Sequence, residues 1–298
     1  MSFYNILLFF LLLFNFQLQE QYIDSLIDNK QYIIAEKAII NFMSENPNNE
    51  ILIRKLGDCY GYRKDWDKAI IQYQKLVELN SDSSINNYKL GGTLAAKANE
   101  TNRFKSLSLI NTSKKYLLKS VELDSKNKPA IWALIQIFTE LPQLLGGSKS
   151  LALKYASELE NFSLIDGLFA KKYIYDFKND YKMSNMYSNK IIENLNSFNT
   201  EYDYNYLNYS IGELCAINKI NLDRGILHLR YYIENFTSRD RSTPDNAYYL
   251  LAKIYLHKND FSMASEQLDN AFVYYKSNDI KNHSLYKELL KLKKLISQ

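Results

Sequence analysis

Cysteine, histidine, glycine and proline are all scarce in this chain. Two Cys and three His in 298 residues leave little material for a disulfide framework or a metal site. Nine Gly and four Pro exclude a collagenous or proline-rich chain and argue against an all-β fold, which needs many tight turns. An excess of one charge is also missing. The 37 Lys and Arg against 33 Asp and Glu leave a formal net charge of +4, too mild for the basic field of a nucleic-acid binder. No Ser/His/Asp order, paired-carboxylate motif or H-E-x-x-H is present, so nothing points to catalysis, and no cofactor is expected. Apolar material is ample at 46%, which rules out a wholly disordered chain. Aromatics are abundant: 25 Tyr, 15 Phe and 2 Trp.

One long apolar run exists, from Ile6 to Phe16. It is apolar on every side, so it is not an amphipathic surface helix. A membrane-spanning helix takes roughly 20 such residues, whereas a secretory core takes about 7–15. Residues 1–21 are therefore expected to be an export signal or an uncleaved anchor, with a possible membrane association through residues 6–16. That places the chain in an exported compartment, periplasmic or secreted. Residues 1–5 carry no Lys or Arg and no A-x-A site follows, and a buried first helix is the competing reading. No Cys lies nearby to carry a lipid.

Residues 22–298 carry an internal repeat. Ile53-x-x-Leu56-Gly57-x-x-Tyr60, Asp65-Trp66 and Ala69-x-x-x-Tyr73-x-x-Leu76 form one unit. Ala35 precedes Ala69, and Leu90-Gly91 follows Leu56-Gly57, each by thirty-four residues. Ile211-Gly212-x-x-Cys215 with Gly225 restates the marks, as do Tyr248-x-x-Leu251-Ala252-x-x-Tyr255, Asp260-Phe261 and Ala264-x-x-x-Leu268. Two weaker units surround Leu134-Ile135 and Lys171-Lys172. The pattern resembles the tetratricopeptide repeat, W-x-x-L-G-x-x-Y followed by A-x-x-x-F and Pro. That resemblance implies an all-α fold, a right-handed superhelical solenoid of about seven stacked antiparallel helix pairs. Its glycines and alanines let paired helices approach closely, and stacking supplies the core that no pair has alone. The period is expected to break at 95–112, with a lengthened helix from about Arg103 to Leu123, and at 139–150. There Pro142 stops a helix, Gly146-Gly147 turn the chain and Ser148 caps the next helix. A helix within 281–297 is expected to cap the stack. Cys59 and Cys215 read as core thiols.

In this family the first helix of each pair lines the concave face, and residues four apart on it share a direction. The candidate partner-binding positions are then Arg54, Asp58 and Tyr62; Tyr88; Trp132 and Gln136; and Phe169, Tyr173 and Phe177. Tyr209 and Glu213, then Tyr249, Lys253 and His257, complete them. Members that hold a C-terminal carboxylate place Lys and Asn where Arg54 and Asp58 stand, and Asp58 argues against that partner class. Exposed aromatics make good anchors for protein contacts. The expected function is a non-enzymatic scaffold for a protein or extended peptide. The alternative is a small-molecule or glycan-binding protein, with Trp132, Phe169 and Tyr173 as stacking platforms.

Overall fold

A computed structural model describes residues 17–195, 200, 202, 204–237, 240, 242–277 and 282–296. The apolar run Ile6–Phe16 lies outside the described residues. Among those described there is no strand, and no helix is long and apolar enough to cross a membrane. The helices divide between two compact units, residues 1–179 and 180–298.

The first unit holds α1 (residues 17–28), α2 (Tyr32–Met43), α3 (Glu50–Tyr62), α4 (Trp66–Leu79), α5 (Ser84–Asn99), α6 (Arg103–Leu123), α7 (Lys128–Glu140), α8 (Lys149–Phe162) and α9 (Leu164–Phe177). Consecutive helices pack as antiparallel hairpins, and the first helices of neighbouring pairs also touch, α5 on α7 and α7 on α9. The marks of the repeat do what close packing requires. A Cβ on Gly57 would come within 2.6 Å of the Tyr73 ring, and one on Gly91 within 2.8 Å of Leu117. Ala35 and Ala69 are fully buried on the second helices. The α1–α2 and α3–α4 turns each place a non-glycine residue in the left-handed region, Lys30 at φ 59° and Lys64 at φ 59°. The chain then closes back, Gln31 N–H to Leu26 O at 2.8 Å and Asp65 N–H to Tyr60 O at 2.9 Å.

Several helix starts are capped by short polar side chains. Asn49 Oδ1 accepts from Ile51 and Leu52 N–H, Asn127 Oδ1 from Ala130 N–H and Ser148 Oγ from Leu151 N–H. Such caps satisfy amide donors that the helix leaves unpaired, each contributing about 1 kcal/mol.

The break expected across 95–112 is narrower than that range. Helix α5 runs through Asn99 and α6 begins at Arg103, so the extra residues lengthen the hairpin instead of forming a loop. Ser113 Oγ donates to Gly91 O at 2.7 Å, and Ser84, Ser120 and Asn127 hydrogen-bond together where α5, α6 and α7 meet. The second break is a built turn. Helix α7 stops at Glu140, Gly146 sits at φ +90°, and a Cβ on Gly147 would fall 1.9 Å from Leu141 O. Ser148 N–H then returns to Phe138 O at 2.8 Å.

In the weak unit, Lys171-Lys172 do not supply a close approach. Gly167 does, since its Cβ would meet the Cβ of Glu160 on α8 at 2.3 Å. This close approach is to the preceding helix, whereas Gly57 and Gly91 meet the second helix of their own pair.

The second unit holds α10 (Tyr181–Glu193), α11 (Tyr206–Asn218), α12 (Leu222–Glu234), α13 (Pro244–His257), α14 (Phe261–Ser277) and α15 (His283–Ile296). Hairpins α11–α12 and α13–α14 pack side by side, and α15 covers α14 and α13. A Cβ on Gly212 would lie 2.3 Å from Leu229, and one on Gly225 2.7 Å from the Cβ of Cys215. Leu285, Leu289 and Leu292 of α15 are buried against Ala252, Leu268, Ala271 and Tyr275.

Candidate functional site

The first helices of the early pairs carry a polar ladder. Asp24 of α1 pairs with Lys55 of α3 at 2.6 Å, and Asp58 of α3 pairs with Lys89 of α5 at 2.6 Å. Each rung joins an aspartate to a lysine one first helix further on. Asp58 also accepts the Tyr73 hydroxyl at 2.6 Å. Arg54, half-buried, donates through Nη2 to Asn86 Oδ1 at 3.1 Å, and Asn86 in turn donates to Glu50 and to Leu76 O. Tyr62 stacks on Tyr32 with ring centroids 5.3 Å apart. These three positions thus join one helix to the next, and the charge of Asp58 is compensated on the spot.

Farther along the same unit the first helices present aromatics. Tyr88 of α5, Trp132 of α7 and Tyr173 of α9 are half-buried and pack on the apolar core with part of each ring left accessible. Trp132 and Tyr173 meet edge to face with centroids 6.3 Å apart, and Phe177 continues the row 6.4 Å from Tyr173. Phe177 is 47% exposed. Gln136 and Phe169 are half-buried on the same helices. The row is held by polar groups at its edges. Trp132 Nε1–H donates to Asp166 Oδ1 at 3.3 Å, while Asp166 also receives Ser163 Oγ–H at 2.6 Å and pairs with Lys128 at 3.4 Å. The Tyr173 hydroxyl donates to Glu140. Fixed rings of this kind lose little rotamer freedom when something binds them.

In the second unit, Tyr209 lies 5.4 Å from the buried Tyr232, and burial pushes its hydroxyl pKa above the ordinary tyrosine range. Glu213 is half-buried on the same helix. Tyr249 hydrogen-bonds Glu288 of α15, and Lys253 Nζ sits 5.5 Å over the Tyr249 ring. His257 is half-buried; burial, then Lys219 and Lys253, lower its pKa.

A buried polar cluster in this unit had no signature in the chain. His228 of α12 is fully buried, its Nδ1 2.8 Å from Asn208 Oδ1, and Tyr202 stacks on its ring at 6.4 Å. Asn208 is fixed by donating to Thr200 O and Asn205 Oδ1. His228 Nε2 is buried with no hydrogen-bond partner among the described residues. Burial, then Arg224, pull its pKa down to about 4.

Cys59 and Cys215 are free and buried, as expected of core thiols. No group of three or more His, Cys, Asp or Glu among the described residues could hold a metal ion.

The repeated hairpin, with its glycine and alanine contacts and its neighbour-on-neighbour stacking, defines an all-α helical-repeat protein. The fold is that of the tetratricopeptide repeat. No family model matches the sequence, and no curated protein matches it. Among solved structures, a human IFIT1 dimer with PPP-AAAA superposes at a TM-score of 0.53 and 18% identity, over 84% of this chain and 53% of that one. The Cut9 complex with Hcn1 from the APC/C matches at a TM-score of 0.50 and 14% identity, over 94% of this chain and 49% of that one. This chain therefore spans about half the length of each. A tetratricopeptide repeat protein of Parabacteroides merdae matches at 0.48 and 14% identity, over 93% and 98% of the two chains.

Proposed function

We propose that this chain is a non-enzymatic scaffold that binds an extended peptide or a protein along the first helices of its pairs. The observation that carries the reading is the row Trp132–Tyr173–Phe177. Trp132 and Tyr173, on two successive first helices, are fixed by core contacts and hydrogen bonds, Phe177 extends the row beside Tyr173, and all three remain partly open. In a tetratricopeptide stack these helices form the concave side, and a linear row of preset aromatics suits an extended chain better than a compact solute. The polar ladder around Asp58 and Lys89 is already paired internally, so the contact is centred on the aromatic stretch. Export, with residues 1–21 as signal or anchor, is part of the same reading and rests on the apolar run Ile6–Phe16. A cytosolic chain recovered with its full intact mass would refute that part.

The test is selection from a random linear-peptide library on the full chain, followed by calorimetry with Phe177→Ala. The Phe177 side chain is largely outside the core, so the variant keeps the fold. Its affinity is expected to fall about tenfold or more if the ring is an anchor. Enriched peptides that bind the variant equally well would refute the site. No enriched peptide, together with binding on a glycan array that Phe177→Ala weakens, would transfer it to the solute-binding alternative.

A further inference from the structure

The capping helix α15 has two faces, and one of them is unexplained by capping. Leu285, Leu289 and Leu292 are buried on the unit. The opposite arc carries Lys287, Lys291 and Lys294, all exposed and spaced along one side of the helix. Leu290 at 41% and Leu295 at 57% exposure flank this lysine line, and Tyr286 borders it at 38%. Lys293 adds a fourth cation, 5.6 Å over the Phe272 ring. Glu288, the one carboxylate between His283 and Ile296, is engaged by Lys291 at 2.7 Å and by Tyr249. A helix that only had to keep the end of the stack wet would carry polar groups there. Leu290 and Leu295 instead leave apolar surface on both sides of the lysine line.

We propose that the outer face of α15 docks on an anionic lipid bilayer, with Lys287, Lys291 and Lys294 meeting headgroup charge and Leu290 and Leu295 dipping into the interface. Three arguments favour a bilayer over an acidic protein. The lysine line stands on the side of a single helix opposite its buried leucines, and a plane is a partner that such a line of residues touches along its whole length. All four cations are lysines, point charges suited to a diffuse anionic surface, where bidentate carboxylate recognition favours arginine. The exposed leucines also border the lysine line on both sides, an arrangement in which lysine stems lie beside apolar surface and keep their charge at the headgroups. This inference is independent of the aromatic row in the first unit.

The experiment is co-sedimentation of the full chain with neutral phosphatidylcholine vesicles and with vesicles containing about 30% phosphatidylglycerol, at low and high salt. Binding through Ile6–Phe16 would be common to both vesicle types, so the informative quantity is the preference for the anionic ones. The wild type is expected to prefer them strongly at low salt and to lose the preference at high salt. Lys287→Gln/Lys291→Gln/Lys294→Gln should cut anionic binding about a hundredfold, because each lysine near the surface contributes about fivefold. Leu290→Ser/Leu295→Ser should weaken anionic binding while leaving its salt dependence in place. Circular dichroism of both variants verifies that the helices persist. Equal binding to the two vesicle types, or an unchanged preference in the lysine variant, overturns the proposal. Capture of a polyglutamate peptide by the lysine face with no vesicle preference overturns it in favour of an acidic protein.

Discussion

Acidification should destabilise the second unit through His228, by an amount that follows from its burial. In the folded chain this side chain is fully enclosed, with Nδ1–H donating to Asn208 and Nε2 facing no acceptor. Charging the ring there would place an unsolvated cation beside Arg224, which is why its pKa falls from 6.5 to about 4. The unfolded chain binds the proton first. Stability is therefore complete above pH 6.5 and is lost as pH falls from 6.5 towards 4, with no further loss from this group below that. Linkage across that window gives about 1 kcal/mol lost by pH 5.5 and about 3 kcal/mol by pH 4.5. The assay is urea unfolding followed by far-ultraviolet circular dichroism at pH 7.5, 5.5 and 4.5, for the wild type and for His228→Gln. Glutamine keeps a donor for Asn208 and does not titrate. The difference between the two proteins isolates His228 from His257, whose lowered pKa acts in the same direction. Identical pH dependence in the two proteins would refute the reasoning, as would a wild type that gains stability on acidification relative to the variant.

Two further outcomes follow from packing. Gly57→Ala should destabilise by about 1–2 kcal/mol, because its methyl would sit 2.6 Å from a Tyr73 ring that is buried and tied to Asp58. Gly61→Ala in the same helix meets nothing within 4 Å and should stabilise by up to about 1 kcal/mol; in thermal unfolding, a raised midpoint for Gly57→Ala would contradict the first expectation and a lowered one for Gly61→Ala the second. The thiols of Cys59 and Cys215, pushed up to about 12 and about 11 chiefly by burial, should react with an aromatic disulfide reagent at pH 8 only after denaturation. Rapid native reaction of either would show that it is accessible.

Much of this molecule is legible residue by residue. Gly57, Gly91 and Gly212 announce close helix contacts, because no side chain fits where those hairpins touch. Pro142 and Ser148 bound the inserted turn, because the ring ends one helix and the hydroxyl caps the next. Other features needed distances between repeats. Asp58 looks like a partner-facing charge when only its own helix is considered, yet Lys89 and Tyr73 reach it from two different helices. Gly167 was missed because its contact with Glu160 depends on how α8 meets α9, and repeat phase does not report that. His228 resembles any surface histidine in the chain, and only the arrangement of Asn208 and Tyr202 around it marks it as buried.

The chain alone determined that there would be antiparallel helix pairs stacked on small residues, since 3.6-residue periodicity and recurring Gly and Ala are local properties. It also settled that the two cysteines would be core thiols. Tertiary structure decided which first-helix side chains are consumed in holding neighbours together and which remain open. It did the same for α15, separating leucines that cap the unit from leucines left among lysines. Those outcomes turn on which side chains from separate repeats come within a few ångströms of one another, a distance that packing sets and spacing along one helix does not encode.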